Sequence, residues 1–198
     1  MSVDERQKEL IFSLAIGKTS EAEFLRQFPA SFEEKSSLGL KVLQFALSAR
    51  DLDAVEAGII LACHFGMGND YVGVLEQLAG EDWHHKHEDI IFGLGKLASP
   101  TSIDAIHRAA QSHLPYLEDY DDSFQLRSKC IHALRNIGTV EALRRLEELF
   151  EKFQEPQLRS KIIRRFRELA SEGASEQVRA EARAALARHG DTNSEDEV

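Results

Sequence analysis

The sequence has little of what marks a secreted, membrane-spanning or nucleic-acid-binding protein. Its 198 residues include only 2 cysteines, 4 prolines and 12 glycines, which argues against a disulfide-stapled scaffold and permits long helices. No apolar run approaches the ~20 residues of a membrane-spanning helix, and the charged first residues lack the apolar core of a signal peptide. The net charge of −10 argues against a nucleic-acid partner. We therefore expect a cytoplasmic protein with no nucleic-acid or membrane partner.

The two cysteines lie in separate apolar helical segments. Neither Cys63 nor Cys130 has a second cysteine nearby in the sequence. The spacing favours two buried, reduced thiols over a disulfide.

What the sequence does contain is a repeat. The five residues Gln125 to Lys129 recur unchanged as Gln157 to Lys161, 32 residues further on, and a helical pattern follows each copy. A period of 20–50 residues with two helices in each unit is typical of an α-solenoid. The fold class that we predict is therefore all-α, an α-solenoid of stacked helical hairpins.

The order of apolar runs and breakers predicts one domain over residues 1–190, followed by a disordered acidic tail at 191–198. Residues 1–50 form an N-terminal helical cap, with capping boxes at Ser20–Glu23 and Ser31–Glu34. Residues 51–190 form four hairpins. In the first, a helix after Asp51 or Asp53 pairs with one that begins at Asp70. The other three consist of Trp83–Leu97 with Ser102–His113, Phe124–Ile137 with Val140–Phe153, and Gln157–Ala170 with Ser175–His189.

The first helix of each of the last three hairpins has apolar residues at equivalent positions. They are Ile90, Ile91, Leu94 and Leu97, then Cys130, Ile131, Leu134 and Ile137, then Ile162, Ile163, Phe166 and Leu169. A single hairpin cannot bury such a stripe by itself, so neighbouring hairpins must stack.

These segments resemble a known repeat family. The stretch His87–Gly95 with Ser99-Pro100 and Ile103–Ile106, and a second copy over Cys130–Leu143, resemble HEAT-like repeats of the phycobilisome-lyase type. Together with the acidic stretch Leu117–Asp122, the chain is similar to small bacterial HEAT-repeat proteins that are often encoded beside polymorphic toxins. The resemblance implies an immunity role, although HEAT repeats are far more specific for fold than for function.

A histidine cluster is the first candidate for chemistry. His84, His85 and His87 follow Trp83 and precede Glu88. A His-Glu pair on a HEAT helix resembles the iron ligands of deoxyhypusine hydroxylase, but the equivalent pairs Arg127-Ser128 and Arg159-Ser160 cannot bind iron. His87 also lies on the apolar stripe, so we predict a core or hydrogen-bonded histidine. Partner contact and metal binding are the alternatives.

An acidic segment, Glu118, Asp119, Tyr120, Asp121 and Asp122, is the second candidate. It lacks the glycine and the terminal glutamate of a calcium loop. The open readings are a solvated loop with a helix cap, a docking site for a basic protein, and a calcium site.

Charge is distributed unevenly along the chain. Residues 1–138 have a net charge of −8, residues 139–190 of +2, and the tail of −4. Arg144-Arg145 and the cluster Arg164, Arg165 and Arg167 are able to contact phosphate. Glutamates alternate with these arginines, which indicates a solvated helix face.

No nucleophile elbow, phosphate loop, Cys-His dyad or zinc motif is present, and we expect no catalytic residues, metal or cofactor. We predict a non-catalytic protein-binding module, most specifically an immunity protein that neutralises a basic toxin domain. The alternatives are a general scaffold or regulator, and a HEAT-fold enzyme such as a metal hydroxylase or a chromophore lyase. The predicted partner-binding surface combines the acidic segment with outward positions of two second helices: Asp104, His107, Arg108, Gln111, Arg144 and Glu148.

Overall fold

A computed structural model describes residues 3–28, 35–118, 123–172 and 175–190. Within these ranges every regular element is helical, which confirms the all-α prediction. No described helix is both long enough and apolar enough to cross a membrane. The chain divides into two compact units, residues 1–90 and 91–198. The prediction of a single domain over 1–190 stays a prediction.

The described residues form twelve α-helices and three short 3₁₀ turns. The α-helices are α1 (Glu5–Ala15), α2 (Glu21–Gln27), α3 (Leu38–Ala49), α4 (Leu52–Phe65), α5 (Val72–Leu78), α6 (His87–Leu97), α7 (Ile103–Ala109), α8 (Pro115–Glu118), α9 (Phe124–Ile137), α10 (Val140–Lys152), α11 (Pro156–Glu172) and α12 (Glu176–His189). The 3₁₀ turns are Lys35–Ser37, Asn69–Tyr71 and Pro100–Ser102.

In the first unit, α3 and α4 pack against each other most closely. A Cβ atom at Gly39 would lie 2.6 Å from the backbone nitrogen of Ala62 and 2.8 Å from the carbonyl oxygen of Gly58. Glycine therefore permits the two backbones to approach. The predicted pairing of α4 with α5 is wrong: α4 packs chiefly against α3, while α5 also contacts α3.

A buried ion pair connects α1 to the start of α4. Asp51 caps α4 by accepting a hydrogen bond from the Ala54 amide at 3.0 Å, as one of the two predicted caps. Its carboxylate also lies 2.8 Å from the buried Lys8 ammonium, which contacts Glu5 at 2.9 Å. The Lys8 hydrogen bond holds the pKa of Asp51 below its usual value, against the effect of burial.

In the second unit the helices form two sets. Helix α9 packs against α11, and α11 packs against α12. Helix α10 contacts α7 on one side and α12 on the other, and it also packs against α9 and α11. We call α6, α9 and α11 the A helices, and α7, α10 and α12 the B helices.

The equivalent apolar positions of the A helices are buried as predicted. Ile91, Leu94, Leu134 and Phe166 are at most 1% exposed. Leu97 and Ile137 are only half-buried because they lie at helix ends. Along α7 and α10, the buried apolar residues are Ile103, Ile106, Ala110, Leu143, Leu146 and Phe150.

Several helix bounds and one burial prediction differ from the sequence analysis. Helix α6 begins at His87, so Trp83–Lys86 precede it, and α7 ends at Ala109, four residues before the predicted end at His113. Cys63 is exposed, which contradicts the prediction of two buried thiols, whereas Cys130 is buried; both are free thiols. The Ser31–Glu34 capping box and the 191–198 tail lie outside the described residues.

Replacing Phe166 by alanine should leave a cavity in the centre of α11. We expect the free energy of unfolding to fall by about 3–5 kcal/mol, because this side chain is fully buried. Urea denaturation measures the change. Arg167→Ala, at an exposed position of the same helix, is the control and should change stability by less than about 0.5 kcal/mol. A Phe166→Ala loss below about 1 kcal/mol would contradict this packing.

Two glycine substitutions of opposite expected sign test the α3–α4 contact. Gly39→Ala should destabilise the protein by roughly 1–3 kcal/mol, because the new methyl group meets backbone atoms. Gly73→Ala places its methyl group in open space on α5 and should stabilise by about 0.4–1 kcal/mol. Thermal denaturation should give a lower melting temperature for Gly39→Ala than for Gly73→Ala. Equal melting temperatures would show that α3 and α4 do not approach this closely.

Candidate functional site

The predicted partner-binding residues of α7 and α10 come together in one polar surface. Helices α7 and α10 contact each other, and Ile106, Leu143 and Leu146 on their inner sides are buried. Above this apolar layer, the outward residues of α7 meet the outward residues of α10. We call the resulting patch the α7/α10 surface, comprising Asp104, His107, Arg108, Gln111, Glu141, Arg144, Arg145, Glu148 and Lys152.

Arg145 is the centre of the α7/α10 surface. Its guanidinium donates to Asp104 Oδ1 across the helix pair at 3.0 Å and to Glu148 Oε2 at 3.0 Å. A third carboxylate, that of Glu141, lies 3.4 Å from Nε. The hydrogen bond to Glu148 is the main cause that raises the pKa of Arg145. Arg145 was predicted only as part of a solvated arginine pair and was not among the predicted partner-binding residues.

His107 and Gln111 continue this network along α7. His107 Nε2 lies 3.3 Å from Glu148 Oε2, and the Gln111 amide is within 3.0 Å of the same ring nitrogen. The Lys152 ammonium on α10 donates to Gln111 Oε1. Partial burial lowers the pKa of His107, although the neighbouring Glu148 opposes the shift. Burial therefore disfavours the charged form of this imidazole.

Two arginines at the edge of the surface remain accessible. Arg108 and Arg144 are both exposed, and Arg144 lies 3.5 Å from Glu141. Planar guanidinium groups at such positions suit carboxylates and aromatic rings on a protein partner.

The acidic segment falls almost wholly outside the described residues. Helix α8 ends at Glu118, and the next described residue is Ser123. Asp119, Tyr120, Asp121 and Asp122 therefore have no structural account, and their part in the surface stays a prediction.

The polar surface extends from α10 to α12 through Glu147. This carboxylate accepts from Arg188 Nε at 2.7 Å and lies 2.9 Å from His189 Nε2. Those contacts, chiefly the hydrogen bond from Arg188, hold its pKa below the usual value despite burial. The sequence signal for this pair was weak, because Glu147 precedes Arg188 by 41 residues.

The histidine cluster is a buried structural pair, as predicted for His87. His87 is 1% exposed, and its Nε2 donates to the Glu81 carbonyl at 2.6 Å. His84 is fully buried; its Nε2 donates to the Leu78 carbonyl at 2.9 Å while its Nδ1 accepts from the Lys86 amide at 3.2 Å. The two rings stack with centroids 4.3 Å apart. Because His84 donates from one ring nitrogen and accepts at the other, its two hydrogen bonds require the neutral form of the ring.

Burial sets the charge state of this pair. It lowers the pKa of His87 to about 4 and also lowers that of His84. Glu81 raises the pKa of both rings and Asp82 raises that of His87, whereas His85 lowers the pKa of both. Among the residues that the structure describes, no group of three or more His, Cys, Asp or Glu side chains has the spacing of a metal site.

Comparison with known proteins gave no match to a protein-family model, a curated protein or a solved structure.

The buried histidine pair predicts a loss of stability in mild acid. The folded pKa of His87 lies below the value of ~6.5 in the unfolded chain, so the unfolded state binds more protons as the pH falls. Stabilisation is complete above pH ~6.5 and declines toward pH ~4. Between pH 7 and 5 we expect His87 to account for up to about 2 kcal/mol of lost unfolding free energy.

Urea denaturation of His87→Gln at both pH values tests this expectation. The glutamine can still donate to the Glu81 carbonyl but cannot titrate, so the difference between pH 7 and pH 5 should shrink. His85→Gln, at an exposed position, is the control and should retain the full pH dependence. An unchanged pH dependence in His87→Gln would assign the acid sensitivity to other groups.

Proposed function

We propose that this protein is a non-catalytic protein-binding module of the HEAT-like α-solenoid type, and most specifically an immunity protein that neutralises a bacterial toxin. The single observation that carries the proposal is the α7/α10 surface, where side chains from two hairpins form one preorganised polar patch. The toxin assignment rests on the sequence resemblance alone.

The packing of the second unit supports a solenoid. A helices lie beside A helices and B helices beside B helices, with equivalent apolar positions buried in each repeat. In such an arrangement the stacked second helices present one extended face to a partner. The α7/α10 surface and the Glu147 contacts to α12 both belong to that face.

The ion pairs of the α7/α10 surface support recognition by shape and hydrogen bonding. Asp104 and Glu148 are already engaged by Arg145, so much of their charge is neutralised locally. Because these side chains are held in place before binding, a partner loses less conformational entropy on docking. Arg108 and Arg144, at the edge, are the accessible groups that contact it directly.

The acidic segment supplies what the α7/α10 surface lacks, which is an excess of one sign of charge. Four carboxylates within residues 118–122 attract a basic protein and accelerate its association, with an effect that salt screens. Tyr120 is the aromatic anchor of this segment, since tyrosine is enriched among binding hot spots.

Neutralising the acidic segment should slow association with a toxin without unfolding the protein. The variant changes Glu118 to Gln and Asp119, Asp121 and Asp122 to Asn, and the partner is the toxin domain encoded beside this gene. At low salt we expect the association rate, measured by surface plasmon resonance, to fall roughly tenfold. In about 0.5 M salt, roughly three times the physiological ionic strength, the fall should be much smaller because the charges are screened. The melting temperature should change little.

A matched control neutralises four exposed carboxylates elsewhere: Glu9→Gln, Asp53→Asn, Asp82→Asn and Asp89→Asn. It has the same net charge as the test variant and should associate faster. Co-expression adds a functional readout, because the native chain should protect cells that make the toxin. A neighbouring gene that encodes no toxin, or a lack of protection by the native chain, would refute the immunity role and favour a general scaffold.

A further inference from the structure

A groove between α6 and α9 has the features of a second docking site. It encloses about 120 Å³ and is lined by Ile91, Phe92, Gly95, Lys96, Lys129, His132, Ala133 and Asn136. Its floor is narrow because a Cβ atom at Gly95 would lie only 3.0 Å from that of Ala133. The Asn136 amide donates to the Gly95 carbonyl at 3.3 Å and so joins the two helices at this floor.

Phe92 gives this groove an apolar wall that faces solvent. It is 53% exposed, one of two large hydrophobic side chains exposed to this extent in the described residues. The Lys96 ammonium lies 5.7 Å from the ring centroid, so a cation already covers part of the aromatic face. The volume of about 120 Å³ is somewhat smaller than the ~150 Å³ of a cavity that holds a benzene molecule, and it suits one aliphatic side chain.

The surroundings of the groove are basic. In the second unit, outside residues 118–122 and the tail, 16 Lys and Arg stand against 10 Asp and Glu. Lys96 and Lys129 line the groove, and no carboxylate is among the described residues that line it. Partial burial lowers the pKa of His132, and the nearby Arg165 and Arg135 lower it further, whereas Glu168 raises it.

The basic surface continues along the A helices. Phe92, His132 and Arg164 occupy equivalent positions of α6, α9 and α11, and all three are exposed. The nearby carboxylate of Glu168 is engaged by Arg165 at 2.6 Å and Arg135 at 3.0 Å. Arg167, one residue before it, is exposed. A bound chain that runs from α6 toward α11 therefore meets an apolar groove first and cations afterwards.

We propose that this A-helix groove binds an acidic peptide segment of a partner protein, with one apolar side chain inserted against Phe92 and a carboxylate placed at Lys96. The site lies on the A helices and goes beyond the proposed function, which places a basic partner on the B helices. It requires no toxin, so either proposal can fail without the other.

The test uses a synthetic fluorescein-labelled peptide of twelve residues, with a central leucine flanked by glutamates and aspartates. Fluorescence anisotropy with the full chain should show saturable binding that weakens as salt is raised. Replacing the leucine by serine should reduce affinity roughly tenfold or more, because the apolar side chain is then lost from the groove. A peptide with lysines in place of the acidic residues should not bind.

Two surface variants locate the site. Phe92→Ser and Lys96→Glu each alter a solvent-exposed residue, and each should weaken binding roughly tenfold with little change in melting temperature. Lys18→Glu, at an exposed position after α1, makes the same charge change away from the groove and should bind like the native chain. Chemical-shift changes in the amide NMR spectrum should centre on Gly95, Lys96 and Asn136.

Two results would overturn the proposal. The first is the absence of chemical-shift changes at these amides with about 1 mM peptide, a concentration that detects even weak complexes. The second is that the native chain, Phe92→Ser and Lys96→Glu bind the peptide with equal affinity. The peptide would then be attracted to the positive charge of the protein in general and not to this groove. Loss of binding in Arg108→Glu, with Phe92→Ser unaffected, would move the acidic ligand to the α7/α10 surface and also refute the groove.

Discussion

Burial of apolar stripes between neighbouring helices is the constraint on which this structure depends. The longest helix, α11, has 17 residues and α7 has only 7, and isolated helices shorter than ~12–15 residues are marginal in water. Leu134 and Phe166 are fully buried because helices on more than one side supply their contacts. Each helix of the second unit is therefore stabilised by its neighbours, and the side chains on its outer face are positioned by the core beneath them.

The same constraint leaves two surfaces of different character on the second unit. On the B helices, Arg145 and Glu147 connect adjacent helices through ion pairs, so this face is polar and largely neutralised within itself. On the A helices, Phe92 and Lys96 face solvent and no carboxylate lines the groove beside them in the part of the chain that is described. One fold can thus present a polar patch and a basic apolar groove, because helix packing uses only the inward positions of each helix.

Particular elements show where local pattern suffices and where it fails. Phe124–Ile137 has the bounds that its apolar spacing predicts, since Gly138 adopts φ +61° and ends the helix. Trp83–Lys86 was predicted as the first turn of α6, but His84 uses its ring to bind the Leu78 carbonyl and the Lys86 amide. Such side-chain hydrogen bonds to the backbone compete with helix formation, and periodicity does not detect them. Helix α4 is apolar on most faces, so its spacing gave no indication that Cys63 would be exposed or that α3 would be its close partner.

The sequence by itself determined the all-helical class, most helix bounds and the inward residues of the repeats, because these follow from spacing within a few residues. It also identified outward residues of α7 and α10 that the structure brings together, since helix geometry fixes which positions share a face. Only the tertiary structure decided that Arg145 lies at the centre of that surface and that Phe92 borders a groove on α9. Arg145 and Asp104 are 41 residues apart, and Asn136 and Gly95 are also 41 apart. Contacts at such separations depend on how whole helices stack, which local periodicity does not encode.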